Sequence, residues 1–497
     1  MTIDFATIIP QLTPDTQVET DWSGAAAGLP NDQKTVLLLG NNLSTGTEPV
    51  PTGVQVATVR RITSEAKAIS LWGAGSNLAI MARAAIAVSP KVKLYGAPYK
   101  VGVGGAAAAT SIPFTVNATG NGTLYLWVAG ELFSLGVVTG DTPTIIVAAM
   151  KALVNGHTNL PVVAGNVVAT TLTLTARTVG AHGNLIGFKF QITNGIGSLF
   201  QTPAMGAPGV ESAQEYLTAG TVDGDPSVQL AAMEGSRYHL IVLDQNTVAE
   251  ITKCKTHINK VSAPAYKKWG MVICAANGTA ALAQTLANAQ DAYRVQVLWV
   301  EKCPQPPAIM AAIFGALRGM YGCKTSLIDA ELPGLAQPYS LADALDPAEI
   351  EEAIEEGITP GRCSELGGRV EVVRSVTTRQ TATIAFRDHC IQEKSDYFDE
   401  SMVAGFLPYK GKTLKTASDP GSNSTMTLGR LTAILNRIIF ALDKIDVVQG
   451  TKDAIAAGAN WAEVNATDVD RVDIGCRFYP TRILAFLAIQ KSYYTGA

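Results

Sequence analysis

The pattern of apolar and polar positions changes period several times along the chain. Residues 34–40 (KTVLLLG) are a continuous apolar run closed by glycine, which predicts a strand buried on both faces. Residues 54–62 suit a second strand or a turn of helix. Residues 64–72 and 76–88 have helical spacing, the second with Leu78, Met81, Ala82, Ala85 and Ile86 on one face, and 92–95 reads as the next strand. After residue 216 strands and helices alternate. Strands at 239–243, 270–275 and 295–300 lead into helices at 247–259, 280–291 and 307–320. Such alternation implies right-handed crossovers and a parallel sheet, which residues 34–100 would join. Asp346-Pro347-Ala348-Glu349 opens another helix with a capping box and proline at its first position.

Between 101 and 208 the texture differs. Glycine, threonine and alanine dominate, charge almost vanishes, and short strand-like runs occur at 124–128, 132–138, 170–176 and 186–192. Asn121-Gly122 is a turn signal. One helix interrupts the strands at 144–153, with Asp141 or Thr142 as its cap and Pro143 at its start. This predicts a mostly β module inserted into the α/β unit.

The stretch 357–380 (GITPGRCSELGGRVEVVRSVTTRQ) reads as turn, linker and strand. Pro360 and Gly361 break the acidic helix before it, and Gly367-Gly368 permits a tight turn. From 369 to 378, Val370, Val372 and Val376 share one parity and Arg369, Glu371 and Thr377 the other, interrupted by Val373 and Arg374. That is the period of a half-buried strand. A long amphipathic helix follows at 385–404, then a loop at 409–425 containing KGKTLK. In the helix at 427–445, Leu428, Leu431, Ile434, Leu435, Ile438, Leu442 and Ile445 cover one face. Arg430, Arg437 and Lys444 recur every seven residues as a basic stripe beside it. The run 483–489, including Ile483, Leu484, Phe486, Leu487 and Ile489, is apolar throughout, so as a strand it must be covered and paired. Residues 1–33 read as an extended arm whose Ile3, Phe5, Ile8 and Ile9 dock elsewhere, with a disordered tail as the alternative on composition alone.

The fold class expected is therefore multidomain, α/β and α+β. A central α/β domain with a mostly parallel sheet takes residues 34–100 and 209–359. A mostly β domain at 101–208 is inserted in it. The C-terminal third, 360–497, reads as a further α+β region, and residues 1–33 as the arm.

The length of 497 residues agrees with several domains. The chain is 47% hydrophobic and only 16% charged, which suits a subunit that buries much of its surface against copies of itself. A net charge of −4 without a basic tail argues against nucleic-acid binding. Seven scattered cysteines with no CxxC argue against a disulfide framework and for a reducing compartment. The N-terminal residues lack the pattern of a signal peptide, and no apolar run is long enough to span a membrane.

No catalytic constellation stands out, and no metal or cofactor is expected. Gly73-Ala74-Gly75-Ser76 resembles part of a dinucleotide loop, but the third glycine position is Leu78, and tight helix packing is the simpler use. Cys254 with His257, and His389 with Cys390, lack a partner motif for metal ligation. Asp244 ends a strand where α/β enzymes place catalytic groups, although capping the helix at Thr247 is simpler. Glu351, Glu352, Glu355 and Glu356 read as a solvated helix face, and His239 as structural.

Two groups of residues carry a family likeness. ITPGR…GGRVEVVRSVTT, followed by a helical C-terminal region and a terminal apolar strand, resembles the tail sheath proteins of contractile phages. GLPNDQKTVLLLGN, WGAGSNLAIMARAA and VKLYGAPY resemble those of Mu-like phages in particular. The likeness spans most of the chain except 101–208.

The resemblance implies a virion structural protein, not an enzyme. It would be assembled in the host cytoplasm into stacked hexameric rings around a tail tube, and would contract to drive the tube through the host envelope. It implies partners: further copies of itself, the tail tube protein, and baseplate and terminator proteins, with no nucleic acid and no membrane insertion. It implies that the arm and C-terminal third form the sheath core domain, with terminal strands exchanged between subunits. A tail-like bacteriocin or secretion particle, or an α/β enzyme with an inserted lid, are the alternatives. The stripe Arg430, Arg437 and Lys444 is expected to face the tube if it is more than a solvated flank.

Overall fold

Continuous apolar strands need cover on both sides, and the chain supplies it. The computed structural model describes residues 29–30, 32–193, 213–336, 345–363, 368–381, 384–415, 425–468 and 470–482. In chain order the first elements are β1 (Thr35–Gly40), β2 (Arg60–Ile62), α1 (Glu65–Trp72), α2 (Asn77–Val88) and β3 (Lys93–Pro98). An inserted module follows, with β4 (Ala109–Pro113), β5 (Gly122–Val128), β6 (Glu131–Val137), α3 (Pro143–Gly156), β7 (Val162–Gly165), β8 (Thr171–Ala176), β9 (Gly187–Ile192) and β10 (Glu215–Tyr216). The α/β alternation then resumes through α4 (Ser227–Ala232), β11 (Leu240–Leu243), α5 (Val248–Ser262), β12 (Met271–Ala276), α6 (Ala280–Gln290), β13 (Val295–Trp299) and α7 (Pro307–Met320). After these come β14 (Ala330–Glu331), α8 (Pro347–Glu355), β15 (Thr359–Cys363), β16 (Val370–Val372), α9 (Ile384–Arg387) and α10 (His389–Phe406).

One sheet of nine strands has the order β14-β16-β15-β13-β12-β11-β1-β3-β2. Its six central strands, from β15 to β3, pair in parallel, and β16, β14 and β2 close the edges antiparallel. In β1, Val36 and Leu38 enter one core while Leu37 and Leu39 enter the other, which is why every position is apolar. α7 is buried from Pro307 to Gly319, so it is apolar all round. Its glycines let it lie close to the sheet: a Cβ at Gly315 would stand 2.4 Å from Val242 Cγ2, and one at Gly319 2.6 Å from Val36 Cγ2. α8 carries the expected capping box, Asp346 with Glu349, and proline at its first position. It ends earlier than Pro360, at Gly357 (φ +76°), where Ile358 N donates to Ala353 O in a Schellman-like close.

The inserted module has its own core between two antiparallel sheets, β10-β9-β5-β6 and β4-β8-β7, with α3. Leu124, Leu126 and Val128 of β5 point inward at alternate positions. Its end differs from the expected residue 208. β10 pairs with β9, Leu217 lies in the module's core, and a bridge between Lys100 and Asp225 closes entry on exit. The strand signal at 215–216 is too short to be seen in a periodicity.

The boundary expected at 360 also falls elsewhere. By compactness the chain separates between Glu393 and Lys394, inside α10, with 33–393 in one unit and 29, 30, 32 and 394–481 in the other. β15 pairs with β13 (Leu298 opposite Thr359), and β16 turns back on β15 (Gly361 opposite Val372), so the strand 370–372 belongs to the nine-stranded sheet. A two-residue alternation says that a strand has a buried face, not which sheet supplies the cover.

The second unit holds the remainder of α10, β17 (Thr413–Leu414), β18 (Thr425–Met426), α11 (Leu428–Asp443), α12 (Thr451–Ala456), β19 (Trp461–Val464) and β20 (Val472–Gly475). α11 buries Leu431, Ile434, Leu435, Ile438, Ile439 and Leu442, and Gly405 of α10 lies against Ile438. Phe398 and Phe478 stack with ring centroids 4.8 Å apart.

Candidate functional site

The carboxyl ends of the parallel strands are where open α/β sheets carry ligands, at the point where chain order reverses. Here that point is β1, flanked by β3 on one side and β11 on the other. Asp244, just past β11, does not cap α5. Its carboxyl is 2% exposed and accepts from Asn41 N at 3.1 Å, Asn77 Nδ2 at 2.7 Å and the Tyr99 hydroxyl. Burial pushes the Asp244 pKa up, and burial with the neighbouring Asp244 raises that of Tyr99 well above its ordinary value.

The inserted module covers this edge. Thr178 Oγ1 lies 3.3 Å from Asn77 Oδ1 and 3.0 Å from His182 Nε2, and His182 Nδ1 lies 2.8 Å from Asp223. Burial raises the Asp223 pKa, but its bonds with His182 outweigh that and lower it. Asn277 Nδ2 donates to Leu185 O at 3.0 Å. The glycine loop before α2 meets the module as well: a Cβ at Gly75 would stand 2.3 Å from Leu160 O, and Ser76 caps α2 through Ala79 N. Its glycines serve close packing.

The other chemistry-bearing residues are structural in their surroundings. His239 Nδ1 accepts from Thr35 N at 3.0 Å, and burial lowers its pKa to about 3. Cys254 and His257 are buried on α5; burial pushes the Cys254 thiol up and the His257 imidazole down. Cys390 is buried with its Sγ 3.8 Å from Asp388, and His389 Nδ1 lies 3.1 Å from Ser375 O. Among the described residues no three His, Cys, Asp or Glu side chains gather as a metal site would need.

One ionic cluster escaped the sequence reading. Glu393, 7% exposed, accepts from Lys34 Nζ at 2.6 Å and from Arg318, which is fully buried, with His389 Nε2 4.0 Å away. The residues come from the start of β1, the end of α7 and the start of α10, so no spacing in the chain announces them. Arg318 in the last turn of α7 also suits the negative end of the helix dipole.

Of the residues expected to act in assembly, Ile3, Phe5, Ile8, Ile9, Ile483, Leu484, Phe486, Leu487 and Ile489 lie outside the described residues. Val370, Val372 and Val376 are buried and Val373 half-buried, and Thr377, expected on the polar parity, is buried too. Arg437 on α11 and Lys444, its C-cap, are exposed, and Arg430 is half-buried. Arg437 Nη2 lies 3.5 Å from the Tyr409 hydroxyl, and Lys412 Nζ stands 5.3 Å from the centre of the same ring. β17 and β18 pair in parallel and tie the KGKTLK loop to the start of α11. Lys412 of the loop and Arg437 of the stripe thus meet at Tyr409. The hairpin β19–β20 was also unforeseen; Trp461, Val464 and Ile474 on it are exposed, and residues 461–464 carry no apolar–polar alternation that would have announced it.

No family model matches the sequence. The structure is similar to that of a sheath tail protein from Desulfitobacterium hafniense, with 14% identity, a TM-score of 0.50, and 95% of this chain and 96% of that one covered. A sheath tail protein from Listeria innocua matches with 13% identity and a TM-score of 0.48 over 92% and 94%. The architecture, α/β and multidomain with mixed sheets, is thus that of the Desulfitobacterium sheath structure. In sequence, the chain is 30% identical over 325 residues to the Mu-like prophage FluMu tail sheath protein of Haemophilus influenzae, which covers 64% of this chain. The match spans 62% of that relative's length.

Proposed function

We propose that this chain is a structural subunit of a contractile phage tail sheath, of the Mu-like kind. The observation that carries the reading is the 30% identity over 325 residues to a Mu-like prophage tail sheath protein. The sheath architecture and the crevice closed by the inserted module support it. Subunits stack as hexameric rings around the tail tube, meet baseplate and terminator proteins at the ends, and contract to drive the tube through the host envelope. A head-to-tail contact that does not close on itself generates such a helical tube. The mature particle is the site of action, after assembly in the host cytoplasm.

Three parts of the mechanism follow. The arm and the 483–489 strand are exchanged between subunits, because main-chain pairing survives large rotations of the domains it joins. The basic patch of α11 grips an acidic tube surface through exposed pairs, each worth roughly 0–1 kcal/mol but repeated along the sheath. The inserted module faces outward and is dispensable for ring formation. Negative-stain microscopy of the purified chain tests the whole: rings or tubes are expected, and a small discrete oligomer would favour an α/β enzyme with a lid.

A further inference from the structure

We propose that the carboxyl edge of the parallel sheet encloses a cluster of ordered waters, bound by side-chain amides beneath the inserted module. Five amides end three adjacent strands there: Asn41 and Asn42 after β1, Gln245 and Asn246 after β11, and Asn277 after β12. All are buried, Asn41 and Asn277 completely and Gln245 to 1% exposure. Among the described residues both side-chain polar atoms of Asn41 and of Gln245 have no protein partner, nor have Asn42 Oδ1, Asn246 Nδ2 and Asn277 Oδ1. The parallel ladder pairs Leu39 with Leu243, and just past it Asn41 N donates to Asp244 Oδ2, next to Gln245 in the chain.

The chemistry of these atoms selects the ligand. Donors and acceptors are both open. A metal cation would satisfy the oxygens and repel the amide hydrogens, an anion would do the reverse, and an apolar molecule would satisfy neither. Water does both, and buried waters are held by two to four such groups. Asp244 beside them already accepts from three neutral donors, which solvate its carboxyl group without a cation. The crevice that in other α/β proteins receives a substrate here holds solvent within the seam.

Oxygen-17 relaxation dispersion on the full chain, which reports long-lived internal waters, tests this against the variant Asn41→Leu/Gln245→Met. The variant is expected to lose dispersion amplitude and to melt at a lower temperature, because apolar groups strand the waters that remain. Unchanged amplitude, with equal or higher melting temperature, would overturn the proposal: amides that were dry are improved by an apolar replacement of similar shape. If the variant does not fold, a wild-type density map resolving solvent decides, with density at hydrogen-bond distance from Asn41 and Gln245 expected, and none there refuting the cluster.

Discussion

The unit of residues 33–393 and the unit around 394–481 are built on opposite principles. In the first, six parallel strands are covered on both faces, and the sheet edges are capped by antiparallel strands. In the second, the described strands come as isolated pairs, β17 with β18 and β19 with β20. A two-stranded pair is marginal by itself and leaves both edges open. Trp461 is 44% exposed on one of these pairs and Tyr479 45% exposed just after it. The first unit covers its main sheet on both faces, whereas among the described residues the second pairs its strands only two by two. The proposed sheath function would use both, the first as a body that moves rigidly and the second as a part that joins.

The sharpest way to break this comparison is to attack the buried ionic cluster around Glu393 in the first unit. Glu393→Ala should leave Lys34 and Arg318 buried without their carboxylate and cost about 3–5 kcal/mol in urea unfolding. A loss below about 1 kcal/mol would mean that the region is wetter and softer than its burial implies.

Acid probes the same unit. His239 is held neutral, its folded pKa lowered to about 3 from 6.5, so the unfolded chain takes up the proton first. The stability this supplies is whole above pH 6.5 and is lost as pH falls toward 3. By about pH 4 the wild type should have lost roughly 3 kcal/mol relative to His239→Asn. Parallel stability–pH curves for the two proteins would contradict the assignment.

One substitution should act with opposite signs in the two units. Gly319→Ala forces a Cβ to within 2.6 Å of Val36 Cγ2 and should destabilise by about 1–3 kcal/mol. Gly429→Ala, in the first turn of α11 with open space around it, should stabilise by about 0.4–1 kcal/mol through the unfolded chain. Thermal melts of the pair read the contrast directly, and equal shifts would erase it.

The smallest effect on stability belongs to the basic patch. Reversing Arg430, Arg437 and Lys444 to Glu should change folding stability by no more than about 0.5 kcal/mol per site. Assembly on isolated tail tubes should weaken and lose its salt dependence. Normal assembly with unchanged salt dependence would return the stripe to a solvated flank.

Much of this was legible in the chain. The run at 34–40 and the alternation from 239 to 320 specify buried parallel strands and crossover helices, because covering both faces leaves no polar position. The capping box at Asp346 and the apolar face of α11 were equally local, since periodicity and caps are properties of neighbours in sequence. Three things were decided only by the tertiary structure. Residues 359–363 and 370–372 joined the large sheet, though their pattern would have suited any half-covered one. Residues 215–225 closed the inserted module through pairings with 109 and 187–188, which a two-residue strand cannot signal. The clusters around Asp244 and Glu393 brought together groups hundreds of positions apart, Lys34 and Glu393 by 359 residues. Local pattern determines which face of an element is buried. What that face meets depends on distant segments arriving at the same place, and a buried charge or amide declares its role only when its partner is beside it.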